Sequence, residues 1–197
     1  MRKIAFVGIF ALTAAVAATA SAAPAVSKSA PGVSRKRIVT QDVFAVVPAN
    51  LEEMYSEADE VLDVQILSSS VKGVGGDLAN PIVRTFYVGR VIQKRKGNPP
   101  HQVVFTQSAG DLEFPDHILR ANGVPLKVGE RYIVFLRLNA RFGGRMLVGE
   151  ENGAFRVVNG RIQPQGFGKI AEEQRNLTER SFADELDRIS RRAAVKE

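Results

Sequence analysis

Apolar and polar residues alternate along most of the middle of this chain. In VLDVQILSSSV (61–71), Leu62, Val64 and Ile66 share one parity, and Asp63 and Gln65 the other. This is the period of a strand with one apolar face. IVRTFYVGRVIQ (82–93) is rich in β-branched and aromatic residues and predicts a long strand, with Gly89 marking a bulge or bend. HQVVFTQS (101–108) predicts a third strand. LKVGERYIVFLRLN (126–139) is apolar on both parities: Tyr132, Val134, Leu136 and Leu138 on one, Ile133 and Phe135 with Arg137 on the other. That pattern predicts a strand at 131–138 buried on both faces. RMLVGEE (145–151) predicts a fifth strand, and AFRVVNGRI (154–162) a further strand or hairpin turning at Asn159-Gly160. VFAVVP (43–48) is a short β-like run stopped by Pro48.

The segments between carry turn chemistry. KGVGGDLANP (72–81) predicts a mobile loop, KRKGNPP (94–100) and RFGG (141–144) predict turns, and QPQGFGK (163–169) a linker. Residues 109–125 predict a long irregular connection with one helical turn near 116–120. Helical signals flank the strands. Asn50 followed by Glu53 in LEEMYSEA is a capping-box arrangement. In TERSFADELDRISRRAA, Phe182, Leu186, Ile189 and Ala193 recur on one face of a helix for which Ser181 is the expected cap. The fold class is therefore mainly β: a small antiparallel barrel of five to six strands over residues 42–165, with a short N-terminal helix and, in 166–197, a linker and an amphipathic helix.

The first residues belong to another class of segment. Arg2 and Lys3 precede the uncharged apolar run IAFVGIFALTAAVAA (4–18), and Ala20-Ser21-Ala22 supplies small residues before a cleavage point. These parts predict a secretory signal peptide over 1–22, an uncleaved anchor being the alternative. Export, to the periplasm or beyond the cell, follows as the expected localisation. No later stretch is long and apolar enough to span a bilayer. Residues 23–41 mix Ala, Pro, Ser and Gly with Lys28, Arg35, Lys36 and Arg37 and predict a flexible basic linker able to touch an anionic surface.

Charge and cysteine usage narrow the functions. The net charge of +6 falls to about +4 without Arg2 and Lys3, since residues 1–22 hold no acid. That is mildly basic, short of the clustered charge of a nucleic-acid binder. With no cysteine in the chain, disulfides, thiolate metal sites and a cysteine nucleophile are excluded.

The succession EADEVLDVQI, RTFYVGRVIQKRKG, QVVFTQSAG, LKVGERYIVFL and GRMLVGEENGAFRVVNG resembles a group of exported bacterial domains. A strand ending in a Lys-Gly turn, a "GERY-apolar" strand and a "G-x-F-x-V" hairpin carry the likeness, over residues 57–160. Such domains are similar in layout to the OB-like barrel of netrin modules and tissue inhibitors of metalloproteases, and the resemblance implies an OB-like barrel here. The metalloprotease inhibitors reach the protease zinc with an N-terminal cysteine, which this chain lacks.

Candidate chemistry is sparse. His101 and His117 are the two histidines, with Asp111, Glu113 and Asp116 nearby, but no spacing typical of metal ligands joins them. Ser108-Ala109-Gly110-Asp111 lacks the nucleophile-elbow pattern of a hydrolase. Gly73, Gly75 and Gly76 lack the Lys-Ser/Thr of a phosphate loop. Neither a cofactor nor a metal site is expected. Arg90, Lys94, Arg95 and Lys96 form the sharpest charge cluster, with Lys94 and Lys96 expected on one face near a turn. They suit docking of an acidic partner or protection of a strand edge. The expected function is a non-catalytic binding module for an envelope or secreted protein, presenting loops 72–81 and 109–125. An enzyme built on Asp111, Asp116 and His117 and a surface-bound structural protein are the alternatives.

Overall fold

A computed structural model describes residues 36–41, 45–75, 81–139 and 144–196. The expected signal peptide, most of the basic linker, and parts of the 43–48, 72–81 and 141–144 segments lie outside the described residues. In chain order the strands are β1 (Arg37–Gln41), β2 (Glu60–Val74), β3 (Ile82–Lys96), β4 (Gln102–Gln107), β5 (Ala109–Glu113), β6 (His117–Asn122), β7 (Arg131–Asn139), β8 (Gly144–Leu147), β9 (Ala154–Val158) and β10 (Arg161–Pro164). The helices are α1 (Leu51–Glu57), α2 (Lys169–Gln174) and α3 (Glu179–Lys196).

The larger sheet runs β10-β9-β7-β2-β3-β4-β8, and β8 also pairs with β7. Five strands, β7, β2, β3, β4 and β8, thus close into a partial ring. The closure is not wholly antiparallel: β4 and β8 run parallel through Phe105–Arg145 and Thr106–Met146. The second sheet, β1-β6-β5, was not expected. Residues 109–122 form a hairpin, not an irregular connection with a helical turn, because Leu119 and Ala121 find an apolar partner in Val83. The end of the expected linker is drawn in as well. Arg37–Gln41 lies parallel to β6, and the Gln41 side chain accepts from the Val83 N–H at 3.0 Å and donates to the Pro81 carbonyl at 2.7 Å.

The doubly apolar strand explains the layering. Tyr132, Val134 and Leu136 point into the ring with Leu62, Val64, Ile66, Tyr87, Val103 and Phe105. Ile133 and Phe135 point outward into a second core with Val61, Phe155 and Ile162, roofed by the helices. Leu138 is 57% exposed, since β7 there leaves the core. Gly89 faces the interior, where a Cβ would stand 3.3 Å from Val64. Opposite it the β2–β3 register slips between Ile66 and Ser68, so the irregularity foreseen at Gly89 is carried by the partner strand.

The roof is held by ordinary helix chemistry. Asn50 Oδ1 accepts from the Glu53 N–H at 2.8 Å, and the Glu53 carboxylate accepts from the Ala49 N–H at 2.6 Å, closing the N-terminus of α1. At α3 the cap is Thr178, not Ser181: Thr178 Oγ1 accepts from the Ser181 N–H at 3.0 Å. Phe182, Leu186 and Ile189 are buried, each stabilising by roughly 1.5–3 kcal/mol. Ala193 is exposed, because α3 has by then outrun the core. Other departures are local. Ala45–Pro48 forms no strand, β2 and β3 extend through 72–74 and 94–96, β8 stops at Leu147 before a 3-10 turn at Glu150–Gly153, and α2 replaces the end of the 163–169 linker. No described helix is long and apolar enough to cross a membrane.

Candidate interaction surface

The acidic candidates do not converge. On the second sheet Asp111 pairs with Arg120 across β5 and β6, taking hydrogen bonds from Nε at 2.8 Å and Nη2 at 2.6 Å. That guanidinium holds the Asp111 carboxyl below the usual carboxylate range and raises Arg120 in turn. His117 lies three residues before Arg120 on the same strand, so alternation turns it to the opposite face, about 10 Å along. Its Nδ1 is 2.8 Å from Asp116 Oδ1, and its ring stacks on Phe114 at 4.7 Å. The hydrogen bond from His117 lowers the Asp116 pKa. Among the described residues no group of three or more His, Asp or Glu could hold a metal ion. Asp111, Asp116 and His117 therefore form two separate surface pairs.

The basic candidates are divided too. Register shifts between Val61 and Leu62 and between Asp63 and Val64 break the alternation of β3 near its end. Lys94 Nζ donates to Asn98 Oδ1 at 3.0 Å. Lys96 turns the other way, over the Tyr55 ring at 4.9 Å, and donates to the Tyr55 carbonyl at 2.7 Å at the C-terminal end of α1. The pair expected to share a face is split. Arg95, half-buried, lines a hollow with Lys94, Glu179, Arg180 and Asp187 beside the start of α3.

Arg90 belongs to a larger feature. The helices roof the outside of β2, β7, β9 and β10, but among the described residues nothing covers the outside of β3 and β4. Strand alternation brings Phe86, Val88 and Arg90 of β3 beside Thr106, Val104 and Gln102 of β4, and beside Ser70, Ser68 and Gln65 of β2. Val104 is 51% exposed, and Ile92 farther along β3 is 50% exposed. Lys72 Nζ stands 5.4 Å from the centre of the Phe86 ring, and Arg90 Nη2 donates to Gln65 Oε1 at 2.5 Å. A hollow of about 250 Å³ opens here, lined by Val74, Arg84, Phe86, Val104, Thr106 and Arg145. The sequence from Pro81 to Gln107 contains Arg84, Arg90, Lys94, Arg95 and Lys96 and no acidic residue. Scanning strand charge along with strand hydropathy would have revealed this one-signed wall.

Beneath the wall lies a buried polar cluster that pattern reading missed. Glu150 is 6% exposed and adopts φ 55°, a left-handed conformation rare for a residue with a side chain. Its carboxylate accepts from Arg84 Nη2 at 3.2 Å, the Ser108 N–H at 2.8 Å and Ser108 Oγ at 3.3 Å. Arg84 also donates to Thr106 Oγ1 at 3.4 Å. Three segments distant in sequence are thereby clamped around one charge. Ser108 is 2% exposed and fully engaged, which is the geometry of a structural hydroxyl and not of a presented nucleophile. Arg145 at the edge of the hollow is likewise matched, by Glu60, at 2.6 and 3.0 Å. Among the described residues, Lys72 and Arg90 are the cations of the wall that no carboxylate pairs.

No family model matches this chain, and a search of the curated proteins finds no match.

Proposed function

We propose that this protein is an exported, non-catalytic binding module that docks a protein of the cell envelope or secretome on the bare β3–β4 wall. The observation that carries the reading is the asymmetry of the barrel. One outer side is sealed by three helices, and the other leaves Ile92 and Val104 exposed and Phe86 and Val88 half-buried, beside Lys72 and Arg90, on two strands whose sequence from Pro81 to Gln107 holds no acid. Apolar centres with a charged rim are what protein interfaces use, the apolar area for affinity and the charge for steering. The partner that fits offers an apolar centre ringed by carboxylates. The rigid ring and the buried Glu150 clamp hold the wall in one shape, so little ordering cost accompanies docking. In this reading the ring is OB-like, akin to netrin modules, with residues 1–22 serving as the export signal. The wall takes the place of the loops as the docking element, since 109–122 is structural.

The test is affinity capture with residues 23–197 as bait against native envelope and culture-fluid extracts. A partner retained by the wild type, lost by Arg90→Glu/Val104→Glu and retained by the control Leu138→Glu supports the reading. Capture indifferent to the wall substitutions, or no capture at all, overturns it.

A further inference from the structure

The second exposed feature is the far end of α3, where charge is sorted along the helix. Glu179, Asp184, Glu185 and Asp187 lie in its first half, with Arg180 as the one cation there. Arg188, Arg191, Arg192 and Lys196 lie in its second half, which holds no acid through Lys196. The packing is sorted in the same sense. Phe182, Leu186 and Ile189 anchor α3 to the core, whereas every residue from Arg191 to Val195 is exposed. Arg188, Arg191, Arg192 and Val195 recur at i, i+3, i+4 and i+7, so they form one stripe about 10 Å long. Val195, at the tip of the stripe, is 87% exposed.

Two explanations internal to the fold are insufficient. Cations favour a helix C-terminus through the helix dipole, but that effect fades within the last turn. Arg188 and Arg191 stand farther back than that. Ion pairing is also slight. Glu185 lies 3.8 Å from Arg188 and Glu52 lies 3.9 Å from Arg192, in side chains that are largely solvated. Pairs of that kind contribute little and leave the guanidinium groups able to take another anion.

We propose that this end of α3 docks on an anionic phospholipid surface, with the three arginines on headgroup phosphates and Val195 entering the interface. The shape selects a bilayer over an acidic protein. The stripe follows one convex face of a helix whose residues from Arg191 to Val195 are all exposed, so a flat surface meets all four side chains at once, whereas a protein partner would need a matching cleft. Arginine takes phosphate oxygens in its planar fork, and an exposed apolar residue beside basic ones is the composition of interfacial helices. This contact is independent of the β3–β4 wall, which remains free for a partner.

The experiment is co-sedimentation of residues 23–197 with vesicles of phosphatidylglycerol mixed into phosphatidylcholine, and with vesicles of phosphatidylcholine alone. Binding is expected to the mixed vesicles only and to weaken as salt is raised. Each Arg→Gln change in the stripe is expected to lower partitioning about fivefold, and R188Q/R191Q/R192Q together roughly a hundredfold. Val195→Asp lowers it further. A second variant, K72Q/R90Q/K94Q, removes the same charge elsewhere and is expected to retain most of the binding. Equal losses in the two triple variants would show that net charge alone drives association and would overturn the assignment. So would unchanged binding of the stripe variant, or wild-type binding to phosphatidylcholine alone. All seven positions are exposed, and unchanged circular dichroism separates lost binding from lost fold.

Discussion

Replacing Arg131 tests how the helical roof is fastened to the barrel. Asp63 on β2 is completely buried, and it accepts from Arg131 Nε at 2.7 Å and from Nη2. The same guanidinium reaches Glu179 at the start of α3, at 3.1 and 2.5 Å. One side chain thus joins β2, β7 and α3, and the favourable contacts with both carboxylates push its own pKa up. Arg131→Met keeps the aliphatic stem and removes the charge. Asp63 is then a buried carboxylate without its counter-ion, a situation that costs about 3–5 kcal/mol. The lower part of that range applies, because a third of the Arg131 side chain is exposed and water can partly replace it. A loss of about 3 kcal/mol is a large share of the 5–15 kcal/mol that stabilises a typical domain. Urea unfolding followed by circular dichroism would read it as a lower midpoint at unchanged slope. The companion D63V/R131M removes both charges and is expected to recover at least about 2 kcal/mol relative to the sum of the single changes. The argument fails if Arg131→Met lies within about 1 kcal/mol of the wild type, or if the double variant merely adds the two losses.

Three further outcomes follow from local geometry. Burial is the main cause that pushes the Tyr132 phenol up to about 12. A group raised in the folded state stabilises below its unfolded pKa and loses that contribution as pH rises. Tyr132→Phe should therefore narrow its stability difference from the wild type by roughly 2–3 kcal/mol between about pH 10 and 12; a constant difference would count against it. Gly153→Ala would set a Cβ 2.3 Å from the Val148 carbonyl oxygen, a backbone atom that cannot yield. A loss of about 1–3 kcal/mol or more is expected in thermal unfolding. Asn50→Ala removes the cap of α1 and should cost about 1 kcal/mol, while Ser181→Ala, at a position that does not cap, should leave chemical denaturation nearly unchanged.

How far the sequence reaches is visible in individual elements. Period and turn chemistry located β2, β3, β4, β7 and the Asn159-Gly160 hairpin, because a strand between a core and a solvent side must alternate whatever it pairs with. The double apolarity of 131–138 announced two packing layers, and the Phe182, Leu186 and Ile189 stripe announced the cover over one of them. Asn50 and Glu53 revealed their cap because capping is settled within four residues. Everything dependent on partners far along the chain stayed hidden. Ala109–Asn122 has the Gly, Pro and Asp of a loop, and only contact with Val83 and Arg37–Gln41 makes it a sheet. Lys94 and Lys96 look paired by spacing, but irregular pairing with Val61 to Val64 turns them apart. Glu150 and Arg84, 66 residues apart, carry no local signal of their mutual burial. The bare β3–β4 wall is the clearest case. Its residues and their single sign of charge stand in the sequence, but which side of a closed ring the helices cover is decided only when the strands have met.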